Sequence, residues 1–122
     1  MIPKFRAWTE EGEVMYYDVY PFKDDTLLLN YDEIAFDEVP ASDFILMQST
    51  GLRDKNGVEI YEGDIVHAYS EGARLIGVIE YFDNAYCIKD KNGIYNSLWT
   101  NAEQYEIIGN IYDNPEFVEG IK

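Results

Sequence analysis

The chain has 122 residues, with 24 Asp plus Glu against 9 Lys plus Arg, a net charge of −15 at pH 7. It is also 47% hydrophobic and 16% aromatic. That excludes a disordered acidic tail, which lacks the apolar surface to offset ordering entropy. The length suits one compact domain or two very small ones. A surface this negative repels phosphate, so direct nucleic-acid binding is disfavoured.

No apolar run approaches the roughly 20 residues of a membrane helix, so no membrane partner is expected. The charged start Met1-Ile-Pro-Lys-Phe-Arg argues against a signal peptide. The lone Cys87 cannot form an internal disulfide, and a reducing cytoplasm is the simplest location. Residues 1–50 hold 11 acids and 3 bases, and residues 51–122 hold 13 acids and 6 bases. The acid is therefore spread over both halves and interleaved with apolar residues, as on the solvent faces of folded elements.

Two short apolar–aromatic runs, Phe5–Trp8 and Val14–Tyr17, flank the polar turn Thr9–Glu13, which is a hairpin signal. Leu27–Tyr31 reads as the next strand, and Phe44–Gln48 follows Pro40 as another. Asn56-Gly57 is a turn dipeptide, since both residues tolerate positive φ. After a second turn at Glu62–Asp64, Ile65–Tyr69 puts Ile65, His67 and Tyr69 on one face and Val66 and Ala68 on the other. Leu75–Phe82 is the next strand, turning at Asp83-Asn84 into Tyr86–Lys89. Its Gly77 suits a bend where a barrel strand curls. Asp90-Lys91-Asn92-Gly93 repeats the Asn-Gly device before Ile94-Tyr95. Thr100–Glu103 is a capping-box pattern for a short helical turn. Tyr105–Tyr112 is strand-like, and Asn114-Pro115-Glu116 has the form of a helical start. About eight short strands at this spacing, with no βαβ alternation, predict antiparallel β structure.

The expected fold is mainly β with short helical turns only. The order of elements predicts an SH3-like small barrel in residues 58–122, with an N-terminal β region, residues 1–57, packed on it as one compact unit.

The run Leu46–Val66, reading LMQSTGLRDKNGVEIYEGDIV, closely resembles the YopX family of phage and prophage proteins. Phe5-Arg6-Ala7-Trp8 with Met15-Tyr16-Tyr17, and Ile107–Glu116, resemble the same family, so the likeness spans the chain. The acidic segment Asp24–Asp43 and the hairpin Ser70–Ser97 carry no matching motif. The resemblance implies a cytoplasmic, phage-encoded β protein without an assigned activity, and it brings no catalytic residues with it.

No catalytic constellation, metal-ligand set or cofactor motif stands out, so catalytic, metal and cofactor residues are all expected to be none. His67 has no second His and no Cys pair to join, and it reads as a structural or surface histidine. Cys87 reads as a small buried hydrophobe. Asp64 reads as a turn cap. Asp54–Gly57 and Asp90–Gly93 look faintly like calcium loops but lack the Asp spacing and the bidentate Glu, so they read as hairpin turns.

Two surfaces are candidates for partners. Arg53, Lys55 and Arg74 with the aromatic rings of Trp8, Trp99, Tyr81 and Tyr95 define the nucleic-acid alternative, a regulator using the barrel. The acids Glu10, Glu11, Glu13, Asp24, Asp25, Asp32, Glu33, Asp37 and Glu38 define a surface that can imitate the phosphate array of DNA and bind a basic host protein. The favoured reading is a non-enzymatic accessory protein acting through protein contacts or self-association into a homo-oligomer, since Tyr and Trp are enriched at interfaces.

Overall fold

A computed structural model describes residues 3–30, 34–70, 73–98 and 104–118. The described residues form the strands β1 Phe5–Thr9, β2 Val14–Pro21, β3 Thr26–Asn30, β4 Phe36–Pro40, β5 Ile45–Arg53 and β6 Glu59–Tyr61. They continue as β7 Asp64–Ser70, β8 Ala73–Phe82, β9 Ala85–Asp90, β10 Tyr95–Ser97 and β11 Tyr105–Asn110. One sheet has the order β4-β3-β2-β1-β5-β6 and the other β10-β9-β8-β7-β11. Among the described residues 3₁₀ turns span Ala41–Asp43 and Pro115–Val118. The mainly β class is as the sequence predicts. Thr100–Glu103, with its expected helical turn, lies outside the described residues.

The chain divides into two compact units, Met1–Ser49 and Thr50–Lys122, with the division inside β5. In the first unit β1 pairs with β2 on one side and β5 on the other, with a bulge opposite Phe5–Ala7. Ala7, Val19, Leu27 and Leu29 form its core, with Phe5, Tyr16, Val39 and Phe44 packed around them. Val19, Leu27 and Leu29 each contribute about 1.5–3 kcal/mol by burial. Leu27 and Leu29 reach this core because they sit two residues apart on β3, opposite Val39 and Asp37 of β4.

The second unit is built on the long hairpin β7–β8–β9. Ile60, Val66, Ala68, Ile79, Ile88 and Tyr105 form its core. The β8–β9 turn has positive φ at both Asp83 and Asn84, the mark of a type I′ hairpin. Gly77 is needed for close approach. A Cβ there would lie 2.4 Å from the Ile88 Cγ2 and 2.7 Å from the Lys89 carbonyl oxygen. The five described strands form an open sheet ending at β10 and β11, so closure into a barrel is not seen among them.

β4 and β6 have no counterpart in the sequence reading. β4 is an outer strand with the exposed run Phe36-Asp37-Glu38, and only Val39 turns inward, so it lacks the apolar alternation that marks a half-buried strand. β6 has three residues, too short to show a period.

Candidate functional site

Seven of the nine acids proposed for partner binding are described, and all seven are exposed. Asp32 and Glu33 lie outside the described residues. Glu10, Glu11 and Glu13 sit on the β1–β2 turn, Asp24 and Asp25 on the β2–β3 turn, and Asp37 and Glu38 on β4. β2 separates Glu10, Glu11 and Glu13 from Asp24 and Asp25 by eight residues, about 26 Å at about 3.3 Å per residue, while Asp37 lies level with Val19 of β2 through Leu29 of β3. Among the described residues these acids fall into a group at the β1–β2 turn and a group around the β2–β3 turn and β4.

The first group borders a groove of about 400 Å³ that Glu10 and Glu11 line together with Asp43 of the 3₁₀ turn. The second group flanks the β4 edge. Glu38 lies 3.5 Å from the Lys23 Nζ, which leaves Asp24, Asp25 and Asp37 as the excess negative charge. Aromatic surface accompanies it: Phe36 is 46% and Tyr20 43% exposed, their ring centroids 5.8 Å apart. The outer side of β4 carries no strand among the described residues. A row of backbone N–H and C=O groups thus stands beside carboxylates and rings.

The residues of the nucleic-acid alternative do not assemble. Trp8 is 5% exposed and belongs to the interior. Trp99 lies outside the described residues. Tyr95 stacks on Phe82 at 4.0 Å and gives its hydroxyl proton to Glu80. Arg53 donates to the Gly57 carbonyl and Lys55 lies 3.5 Å from Glu106, whereas Arg74 lines a groove with Lys91 instead.

A cluster in the second unit was not legible beforehand. His67 on β7 faces Glu106 on β11 as a cross-strand pair, Nε2 to Oε1 at 2.6 Å. Lys55 reaches the other carboxylate oxygen from the β5–β6 turn at 3.5 Å. The hydrogen bond from His67, followed by the nearby Lys55 ammonium, holds the Glu106 carboxyl below its ordinary value, against a smaller opposing effect of burial. The pairing joins residues 39 apart in sequence, and no local signal indicates it. The arrangement orients an imidazole and can hold a proton. The Cys87 thiol is not part of it: it points at the Phe82 and Ala85 carbonyl oxygens. Four residues of β8 separate the register positions of Cys87 and His67, about 13 Å.

The buried acids are structural. Asp64 accepts the Tyr61 N–H at 2.8 Å, as a turn cap should. Asp54 accepts three backbone N–H groups, from Asn56, Val58 and Ile107. Among the described residues no three His, Cys, Asp or Glu side chains group to hold a metal ion. No described helix is long and apolar enough to cross a membrane.

Among the described residues two antiparallel sheets, each with its own core cluster, define an all-β protein. The chain belongs to the YopX family, described as YopX protein, whose profile matches residues 4–119. It is similar to two solved structures. Protein EF1440 from Enterococcus faecalis is 29% identical, with a TM-score of 0.72 over 97% of this chain and 99% of that one. YopX from Bacillus subtilis is 25% identical, with a TM-score of 0.64 over 93% of this chain and 95% of that one. Comparison with curated proteins gives no match.

Proposed function

We propose that the chain is a non-enzymatic phage or prophage accessory protein. It acts in the host cytoplasm by binding a basic protein segment along β4. The observation that carries this reading is the β4 edge: an outer strand with exposed Phe36, Asp37 and Glu38, and Tyr20 beside Phe36. An incoming strand gains main-chain hydrogen bonds at such an edge, and flanking side chains choose the partner. Asp37, Glu38 and Pro40 oppose pairing with a second identical edge, because like charges face each other and Pro has no N–H to give. A Lys- or Arg-rich strand meets no such penalty. The edge supports one compact contact better than DNA mimicry, which requires a continuous acidic row, because Glu10, Glu11 and Glu13 lie at the far end of β2.

The test is affinity capture from host lysate at low and high salt, with the native chain beside the variant Phe36→Ser, Asp37→Lys, Glu38→Lys. All three side chains are exposed, so the variant retains the fold. The expected result is a basic protein held by the native chain at low salt and lost with the variant. Equal recovery by both, or no basic protein at low salt, overturns the proposal.

A further inference from the structure

Arg74 is an exception to the charge pattern of this molecule. Lys23, Lys55 and Lys89 each lie within 4 Å of a carboxylate. Arg74 and Lys91 have no carboxylate at ion-pair distance among the described residues, although acids outnumber bases by 24 to 9. Both line one groove of about 430 Å³, with Leu75, Ile76 and Phe117. That volume falls within the roughly 300–1,000 Å³ of small-molecule sites.

Three elements build the groove. β8 supplies Arg74 and Ile76 on the face opposite Leu75, whose side chain packs on the core. The β9–β10 turn supplies Lys91 and Asn92. The 3₁₀ turn Pro115–Val118 supplies Phe117, 45% exposed. Asp90 also lines the groove, but its Oδ1 already accepts the Asn92 and Ile94 N–H groups at 2.9 and 3.0 Å. Two cations stand against one hydrogen-bonded carboxylate, beside an aromatic ring and aliphatic side chains.

We infer that this groove binds a small phosphate ester carrying a flat ring, of mononucleotide size. A ring can lie against Phe117 and Ile76. A phosphate monoester carries a charge of about −1.5 to −2 at pH 7, which two cations match better than they match one carboxylate. Arg74 offers a bidentate fork and Lys91 a point charge. A polymeric nucleic acid is excluded by the rest of the surface, since its further phosphates meet the −15 chain. A single anion within a Debye length of about 8 Å responds to Arg74 and Lys91 first.

The experiment follows amide NMR shifts of the full chain during separate titrations with AMP, adenosine, inorganic phosphate and a short 5′-phosphorylated oligonucleotide. AMP should shift residues 74–76, 90–92 and 117, and saturate. Adenosine and inorganic phosphate should each bind at least about tenfold more weakly, and the oligonucleotide no better than AMP. R74Q and K91Q, both on the surface, should each weaken AMP binding about five- to tenfold, in line with about 1–1.4 kcal/mol for a charge-assisted contact. Absence of shifts at these residues, AMP binding by R74Q and K91Q as tight as by the native chain, or AMP binding no tighter than inorganic phosphate overturns the assignment. Tighter binding of the oligonucleotide than of AMP overturns the choice of a free small ligand.

Discussion

The second unit contains the same five-residue device twice, and the two copies differ in what surrounds them. In Asp54-Lys55-Asn56-Gly57-Val58 and Asp90-Lys91-Asn92-Gly93-Ile94, the Asp carboxylate accepts N–H groups two and four residues on. In both, the Gly N–H donates to the Asp carbonyl at 3.0 Å, and the Gly has φ near +80°. The local fold is thus dictated locally. The first copy is also docked. Asp54 is 3% exposed, its second oxygen accepts the Ile107 N–H at 3.1 Å, and the Lys55 N–H donates to the Tyr105 carbonyl. The second copy borders an open groove. One motif has become a rivet for β11 in one place and the wall of a cavity in the other.

The largest expected effect is on the docked copy. Asp54→Ala removes the acceptor of three N–H groups, one of them on another strand, and should cost about 3 kcal/mol. Asp90→Ala removes two exposed bonds and should cost about 1 kcal/mol. Urea denaturation of both variants checks this, and equal losses would break the comparison. Gly57→Ala and Gly93→Ala should cost about 1 kcal/mol each. A Cβ on Gly57 meets nothing within 4 Å, so that loss comes from φ alone. Similar midpoint shifts for the pair would confirm that the local geometry is independent of docking.

The pH dependence comes next. The folded Glu106 carboxyl titrates below its ordinary value of 4.5. Its contribution to stability is therefore present above the unfolded value and lost as pH falls through the folded one. Glu106→Gln should flatten the fall in melting temperature below about pH 4.5. The smallest effect is expected from Lys55→Met, within about 0.5 kcal/mol and vanishing in high salt, because the ion pair is half exposed.

Much of the fold is legible in the residues. Alternation along Ile65–Tyr69, the turn dipeptides and the caps announce antiparallel hairpins, because these signals act over two to five residues. In the Asn-Gly turns only Gly57 and Gly93 take positive φ, whereas at Asp83-Asn84 both residues do. β4 was illegible because an edge strand facing water keeps no apolar period. The acidic residues were legible as exposed, but not their separation by the length of β2. The His67–Glu106 pair and the Arg74–Lys91 groove were illegible for another reason. Each depends on which distant strands are neighbours, and a single sequence does not state that.

The bond from Ile107 to Asp54 spans 53 residues of chain, and this sets an order of events during synthesis. Until residues 105–110 have left the ribosome, β7 is an open edge and the Asp54 carboxylate lacks one of its three donors. The second unit can therefore form its hairpins early but complete its sheet only late. A chain arrested before residue 105 should expose the β7 edge to proteases and chaperones, and arrival of the last strand is the step that closes that window.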